Sequence, residues 1–109
     1  MESNPIVITG EGIVCAIGND CASVASSLVA RRSGIGEMRF LPSAHHELPV
    51  GEVKLSNAEM KQRLHINADQ TMSRTALMGI MAVREALTKA RIQSAAHKRV
   101  LLISGTTVA

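Results

Sequence analysis

The sequence predicts an α/β fold, and three observations carry the prediction. Near one end, Ile6-Val7-Ile8 is a short apolar run rich in β-branched residues, and near the other Val100-Leu101-Leu102-Ile103 is purely apolar. Runs of this kind suit strands covered on both faces of a sheet. Between them lie segments whose apolar residues recur three and four positions apart, the spacing of amphipathic helices.

Composition agrees with that class and excludes others. Over 109 residues, 46% apolar and 19% charged residues suit one globular domain. Phe40 is the single aromatic residue, so the core must be assembled from Ile, Leu, Val, Ala and six Met, whose flexible thioethers fill gaps without specifying one packing. The lack of aromatics and a formal charge of only +3 argue against a nucleic-acid partner, which wants a stacking surface and a strong basic field. No stretch is long enough to span a membrane, and the N-terminus lacks a basic region followed by an unbroken apolar one, so the cytoplasm is the expected location.

The first strand, Ile6 to Ile8, runs into Thr9-Gly10-Glu11-Gly12. In a dinucleotide-binding fold, Gly-x-Gly-x-x-Gly would end the strand and open a helix onto a pyrophosphate. Here the third position is Cys15, and residues 13–17 stay apolar as if continuing a strand. The competing reading is that Gly10 and Gly12 permit close backbone approach. Gly18 then offers a turn, Asn19 or Asp20 can cap a helix, and Cys21, Val24, Ala25, Leu28 and Val29 give it an apolar face as far as Arg31-Arg32. The two cysteines lie six apart, which is neither a zinc nor a thioredoxin spacing. Cys15 is expected to be a small core residue at a strand end and Cys21 to sit on the helix's apolar face, neither acting as a nucleophile.

Past Ser33-Gly34-Ile35-Gly36 the chain reads as a loop, marked by Pro42, His45-His46 and Pro49. Glu47 alone does not complete a metal site for the two histidines, and His65 and His97 stand isolated, so no metal is expected. Val50 to Lys54 alternates weakly enough to be a short strand or an extended connection. Ser56-Asn57-Ala58-Glu59 has the spacing of a capping box and opens a helix to about Leu64. Asn67 or Asp69 is expected to start a longer helix. Its stripe of Ala76, Ile80, Val83, Leu87 and Ala90 should face the sheet, widened by Leu77 and Met81, with Glu85 and Lys89 as an outward pair. Gly79 costs such a helix roughly 1 kcal/mol relative to Ala. The last strand is Val100 to Ile103.

Taken in order, these segments resemble the β-ketoacyl-acyl carrier protein synthases, or ketosynthases, of the thiolase-like fold. The matching pieces are the apolar strand with Thr9-Gly10-Glu11-Gly12, then Ile17-Gly18-Asn19, Ser33-Gly34-Ile35, Gly51-Glu52-Val53, Met72-Ser73-Arg74 with Ala76-Leu77, Arg84-Glu85-Ala86-Leu87, and the run from Val100 into Ser104-Gly105-Thr106-Thr107. The resemblance implies that residues 1–109 form the first part of a ketosynthase N-terminal domain, a mixed sheet with packing helices that is incomplete in this chain. It also implies a parent acyltransferase that takes an acyl chain onto a Cys and condenses it, with decarboxylation, with a malonyl thioester on acyl carrier protein in fatty-acid or polyketide-type biosynthesis. No cofactor is expected. Ketosynthases use a Cys in an Ala-Cys-Ser/Thr segment and two later His residues, none of which this chain contains, so no catalytic residue is carried over.

Members commonly place basic residues just before the Met-Asp/Ser-Arg segment to hold the acidic carrier. This chain reads Ile66-Asn67-Ala68-Asp69-Gln70-Thr71 there, which leaves Lys61 and Arg63 as the nearest candidates for docking. Thr75, where an aromatic is frequent, also points to a divergent member. The resemblance further implies a homo-oligomer or a partner ketosynthase subunit. Two other readings compete with an active condensing enzyme: a non-catalytic partner resembling a chain-length factor, or a truncated binding module, and, more remotely, a small nucleotide-binding domain.

Overall fold

A computed structural model describes residues 3–94, 96 and 98–107. His97 lies outside the described residues. Three helices form, α1 (Cys21–Val29), α2 (Asn57–Leu64) and α3 (Arg74–Lys89). No strand forms among the described residues, where β pairing is limited to two isolated bridges, Cys15 with Gly18 and Gly36 with Val50.

Local chemistry explains each helix start. Asp20 caps α1 by accepting from the Ser23 amide at 2.7 Å, while Ser23 Oγ accepts from the Asp20 amide at 3.2 Å. Ser56 and Glu59 exchange the same pair of bonds at α2, with Ser56 N to Glu59 Oε2 at 2.7 Å. Both are capping boxes that satisfy orphan amides of the first turn. For α3 the cap is Ser73, whose hydroxyl accepts from the Ala76 amide at 3.1 Å, and not Asn67 or Asp69 as expected. Those two stand in the irregular link from α2, where Gln70 N donates to Asn67 O in a turn.

The helix ends share one device. Arg32 N reaches Ser27 O, Ile66 N reaches Lys61 O and Ile92 N reaches Leu87 O, each with the preceding residue in the left-handed region: Arg31, His65 and Arg91. This is the Schellman closure built without glycine. It stops each helix and turns the chain back across it.

The core is small and lies where residues 53–55, α2 and α3 meet. Val53, Leu55, Met60, Leu64 and Leu77 are buried, with Met60 and Leu77 at 0% exposure, and Val14, Ile66, Met72, Met78 and Met81 pack around them. On α1 the buried positions are Val24 and Ser27, while Leu28 and Val29 are exposed, so its expected face is rotated. On α3 the expected stripe is likewise turned: Leu77 and Met81 face the core, whereas Ile80, Val83 and Leu87 are 37%, 46% and 40% exposed.

The expected strands remain unpaired. Ile8 is 89% exposed and Leu101 is 82% exposed, and no backbone hydrogen bond joins residues 6–8 or 100–103 to any described residue. Residues 13–17 do not continue a strand either, because Cys15 and Gly18 close a tight turn. A radius of gyration of 16.7 Å exceeds the value of about 13 Å for a compact domain near this length. A strand needs a cross-strand partner as well as an apolar sequence, and these runs meet none among the described residues.

Candidate functional site

The motif residues converge on the joints between segments. Gly10 and Gly12 lie against α3, where a Cβ on Gly12 would stand 1.9 Å from Ala82 O and one on Gly10 would stand 2.2 Å from Ala86 O. The two glycines therefore lay backbone directly on the small side of α3, at Ala82, Ala86 and Ala90. That is the close-approach reading, and it leaves the glycine pair engaged with a helix rather than with a phosphate.

Glu85 fixes the same segment from α3. Its carboxylate accepts from the Cys21 amide at 2.8 Å and from the Ile13 amide at 3.0 Å, tying the first turn of α1 and the chain before it to one side chain. The Cys21 bond is the main reason its pKa lies below the usual carboxylate value, with Ile13 assisting against partial burial. So Glu85 points inward, contrary to the outward pair expected, although Lys89 still lies 3.5 Å away at i,i+4. Lys89 also bonds Glu11 at 2.8 Å, which is the first cause of its raised pKa, followed by Cys21.

Arg74 and Glu52 fasten the other joint. Arg74 Nη1 donates to Leu55 O at 2.7 Å and to Asn57 Oδ1 at 3.2 Å, and Nη2 donates to Val53 O at 2.8 Å. Its guanidinium carbon also stands 5.6 Å from the centre of the Phe40 ring. Glu52, 5% exposed, accepts from the amides of Arg39, Phe40 and Leu41. Burial raises its pKa, but those three amides outweigh it and the net displacement is downward. The matching segments thus place their charged residues in joints that hold the chain together.

The two proposed docking residues separate. Lys61 donates to Ala68 O at 3.1 Å and lines a groove of about 400 Å³ with Ala58, Gln62, Ile66 and Ala68. Arg63 opens onto another groove, of about 470 Å³, whose walls carry Arg84 and Lys89 and also the carboxylates of Asp20 and Glu85, with Leu64 and Met81 between them. Arg84 caps the end of α2, donating to Leu64 O at 3.2 Å and Arg63 O at 3.4 Å, where a cation favours the negative end of the helix dipole. Nothing in the sequence marks Arg84 and Lys89 as basic neighbours of Arg63. Their spacing of five hid them, and only the crossing of α2 over α3 brings them to Arg63.

The remaining candidates stay apart. Cys15 and Cys21 are free and half-buried, and Cys21 Sγ lies 3.7 Å from Glu11 O at the first turn of α1. His45 pairs with Glu47 at 3.3 Å in an exposed loop. No group of three metal-ligating side chains occurs among the described residues, and no helix of the described residues is long and apolar enough to cross a membrane.

Comparison with protein families matches residues 3–109 to the β-ketoacyl synthase N-terminal domain. Neither curated proteins nor solved structures give a match.

Proposed function

This chain belongs to the β-ketoacyl synthase N-terminal domain family, and from that premise we propose that it is the scaffold segment of an acyl-carrier-protein-dependent condensing enzyme. The family implies a thiolase-like fold and a ketosynthase-type transferase. The observation that carries the reading is the family match over residues 3–109 together with the use of its charged motif residues, Glu52, Arg74 and Glu85, as joints.

In the proposed reaction an acyl group passes from the carrier's thioester to a Cys thiolate with release of the carrier thiol, and the enolate formed as a malonyl thioester loses CO2 attacks that acyl carbon and expels the Cys thiolate. Covalent capture divides one difficult step into two easier ones. The Cys and the two His residues that this chemistry needs in ketosynthases are not among residues 1–109. What this segment contributes is placement. Gly10, Gly12 and Glu85 set the N-terminal segment on α3, and Arg74 sets α3 on residues 53–55.

The mixed sheet belongs to the same proposal. Gly10 lies beside Ala86 and Ala90 and Gly12 beside Ala82, so residues 6–12 run antiparallel to α3. A helical crossover from the first apolar run through α3 into residues 100–103 would suit two parallel strands of such a sheet. Covering their exposed faces favours a homo-oligomer or a partner ketosynthase subunit. Free cysteines and the absence of a membrane-crossing helix among the described residues support a cytoplasmic setting.

Docking of the carrier falls to Arg63 more than to Lys61, because Arg63 shares its groove with Arg84 and Lys89, whose charge Asp20 and Glu85 in the same groove largely offset to leave a weakly positive surface, whereas Lys61 is turned onto Ala68 O. Complementary charge of this kind raises encounter rates more than affinity. The intact enzyme should turn acyl- and malonyl-carrier thioesters into a β-ketoacyl product with release of CO2. Carrier binding without product would instead favour the non-catalytic partner. With no basic residue at positions 66–71, binding should depend only weakly on salt. A steep dependence lost in the Lys61→Glu, Arg63→Glu double variant would show that strong docking charge is retained.

A further inference from the structure

Residues 37–49 form a loop whose ends meet. Gly36 and Val50 exchange backbone hydrogen bonds at 3.0 and 2.9 Å, closing an Ω-like excursion at its base. The polar contacts of the tip are internal: His45 N to Ser43 Oγ at 3.0 Å, Leu48 N to His45 O at 3.3 Å, and His45 Nδ1 with Glu47 Oε1 at 3.3 Å. Between base and tip, one carboxylate holds the loop to the body of the protein. Glu52 receives the successive amides of Arg39, Phe40 and Leu41, and this places Phe40 beneath the Arg74 guanidinium.

We propose that residues 37–49 are a flap latched by the Glu52 carboxylate, which opens when that carboxylate is neutralised while the core stays folded. An ionised carboxylate offers acceptor sites on both oxygens and can serve three converging amides, whereas a carboxylic acid or a carboxamide turns one of those sites into a donor. The oxygen that becomes a donor turns on amides it had served, so the latch keeps only the bonds of the other oxygen, Arg39 and Phe40 on Oε1 or Phe40 and Leu41 on Oε2, and is weakened beside the backbone pair at the base. The core does not depend on the latch, because Val53, Leu55, Met60, Leu64 and Leu77 pack between residues 53–55, α2 and α3. Opening also withdraws Phe40 from Arg74, whose bonds to Val53 O and Leu55 O keep the guanidinium in place.

The charged groups around the latch are Arg39 on the loop, Lys54 two residues beyond Glu52, and Arg74 from α3. None of their side-chain cations forms an ion pair with Glu52 among the described residues, so backbone amides do the holding. Amides lower the carboxylate's pKa, so the latch is closed at neutral pH and opens as pH falls through that depressed value.

The test is residue-resolved amide hydrogen exchange on the whole chain, comparing wild type with Glu52→Gln at one neutral pH. The expected result is at least tenfold faster exchange of the flanking amide that meets the new donor, Arg39 or Leu41, with α2 and α3 protected as in wild type. Unchanged exchange at 39–41 would overturn the proposal, as would a parallel loss of protection in α2 and α3. Should Glu52→Gln not fold, wild type is followed from pH 7 to pH 2 with rates normalised to intrinsic exchange. Loop amides opening before helix amides support the latch, and simultaneous opening refutes it.

Discussion

Arg74→Ala should cost about 2–4 kcal/mol of stability. The figure follows from what the guanidinium holds: two backbone carbonyls, Leu55 O at 2.7 Å and Val53 O at 2.8 Å, both in part-buried bonds. Hydrogen bonds to a charged partner contribute roughly 1.5–3 kcal/mol each, and a cation over an aromatic face adds about 0.5–1 kcal/mol. The sum overshoots, because the bonds share one side chain and water can reach part of the joint once it is gone. Arg74→Lys keeps the charge but cannot fork to both carbonyls, so it should fall between wild type and the Ala variant. Urea unfolding at one fixed protein concentration, followed by circular dichroism, gives the comparison. An Ala variant within about 0.5 kcal/mol of wild type would place Arg74 among ordinary surface residues and refute the joint.

Three further outcomes are expected. Gly12→Ala should destabilise by about 1–3 kcal/mol, because its Cβ meets Ala82 O at 1.9 Å, whereas Gly79→Ala enters open space and should stabilise α3 by about 1 kcal/mol; thermal melts of the pair decide it. Glu85, whose folded pKa lies below its ordinary value of 4.5, contributes stability that is present above that value and is lost as pH falls through the folded one. Glu85→Gln should therefore flatten the acid side of the stability profile, and an unaltered acid limb would count against the clamp. Finally, the exposed runs at residues 6–8 and 100–103 should drive self-association that Leu102→Lys reduces in light scattering, and a monomeric wild-type chain at high concentration would show that these runs need no cover.

What the sequence disclosed was local. Asp20 and the Ser56–Glu59 box mark their helix starts in a few adjacent letters, and α2 begins and ends where they imply. Ser73 was missed because its third position is Ala76, which leaves no reciprocal box to read. The face of α3 was misjudged for a different reason. Ile80, Val83 and Leu87 are the most apolar letters, but Ala82, Ala86 and Ala90 meet Gly10 and Gly12, and small residues bury through closeness without scoring as hydrophobic. Glu85 reads as a surface acid until Cys21 and Ile13 are brought to it from more than sixty residues away. The strands were legible as apolar runs only, since pairing is a property of two segments. For the candidate docking site, Arg63 was visible and its neighbours Arg84 and Lys89 were not, because the crossing of two helices assembles them.

The most direct test of the scaffold assignment is a condensation assay on the 109-residue chain itself. It would be incubated with acyl- and malonyl-carrier thioesters, with CO2 release and β-ketoacyl product measured for wild type, Cys15→Ala and Cys21→Ala. Cys21 lies at the first turn of α1 beside Glu11, and Cys15 in the turn before it. The account predicts no product above a protein-free control in any of the three. Product from the wild-type chain that disappears with Cys15→Ala or Cys21→Ala would contradict it, because a residue assigned to the scaffold would then be carrying the acyl group.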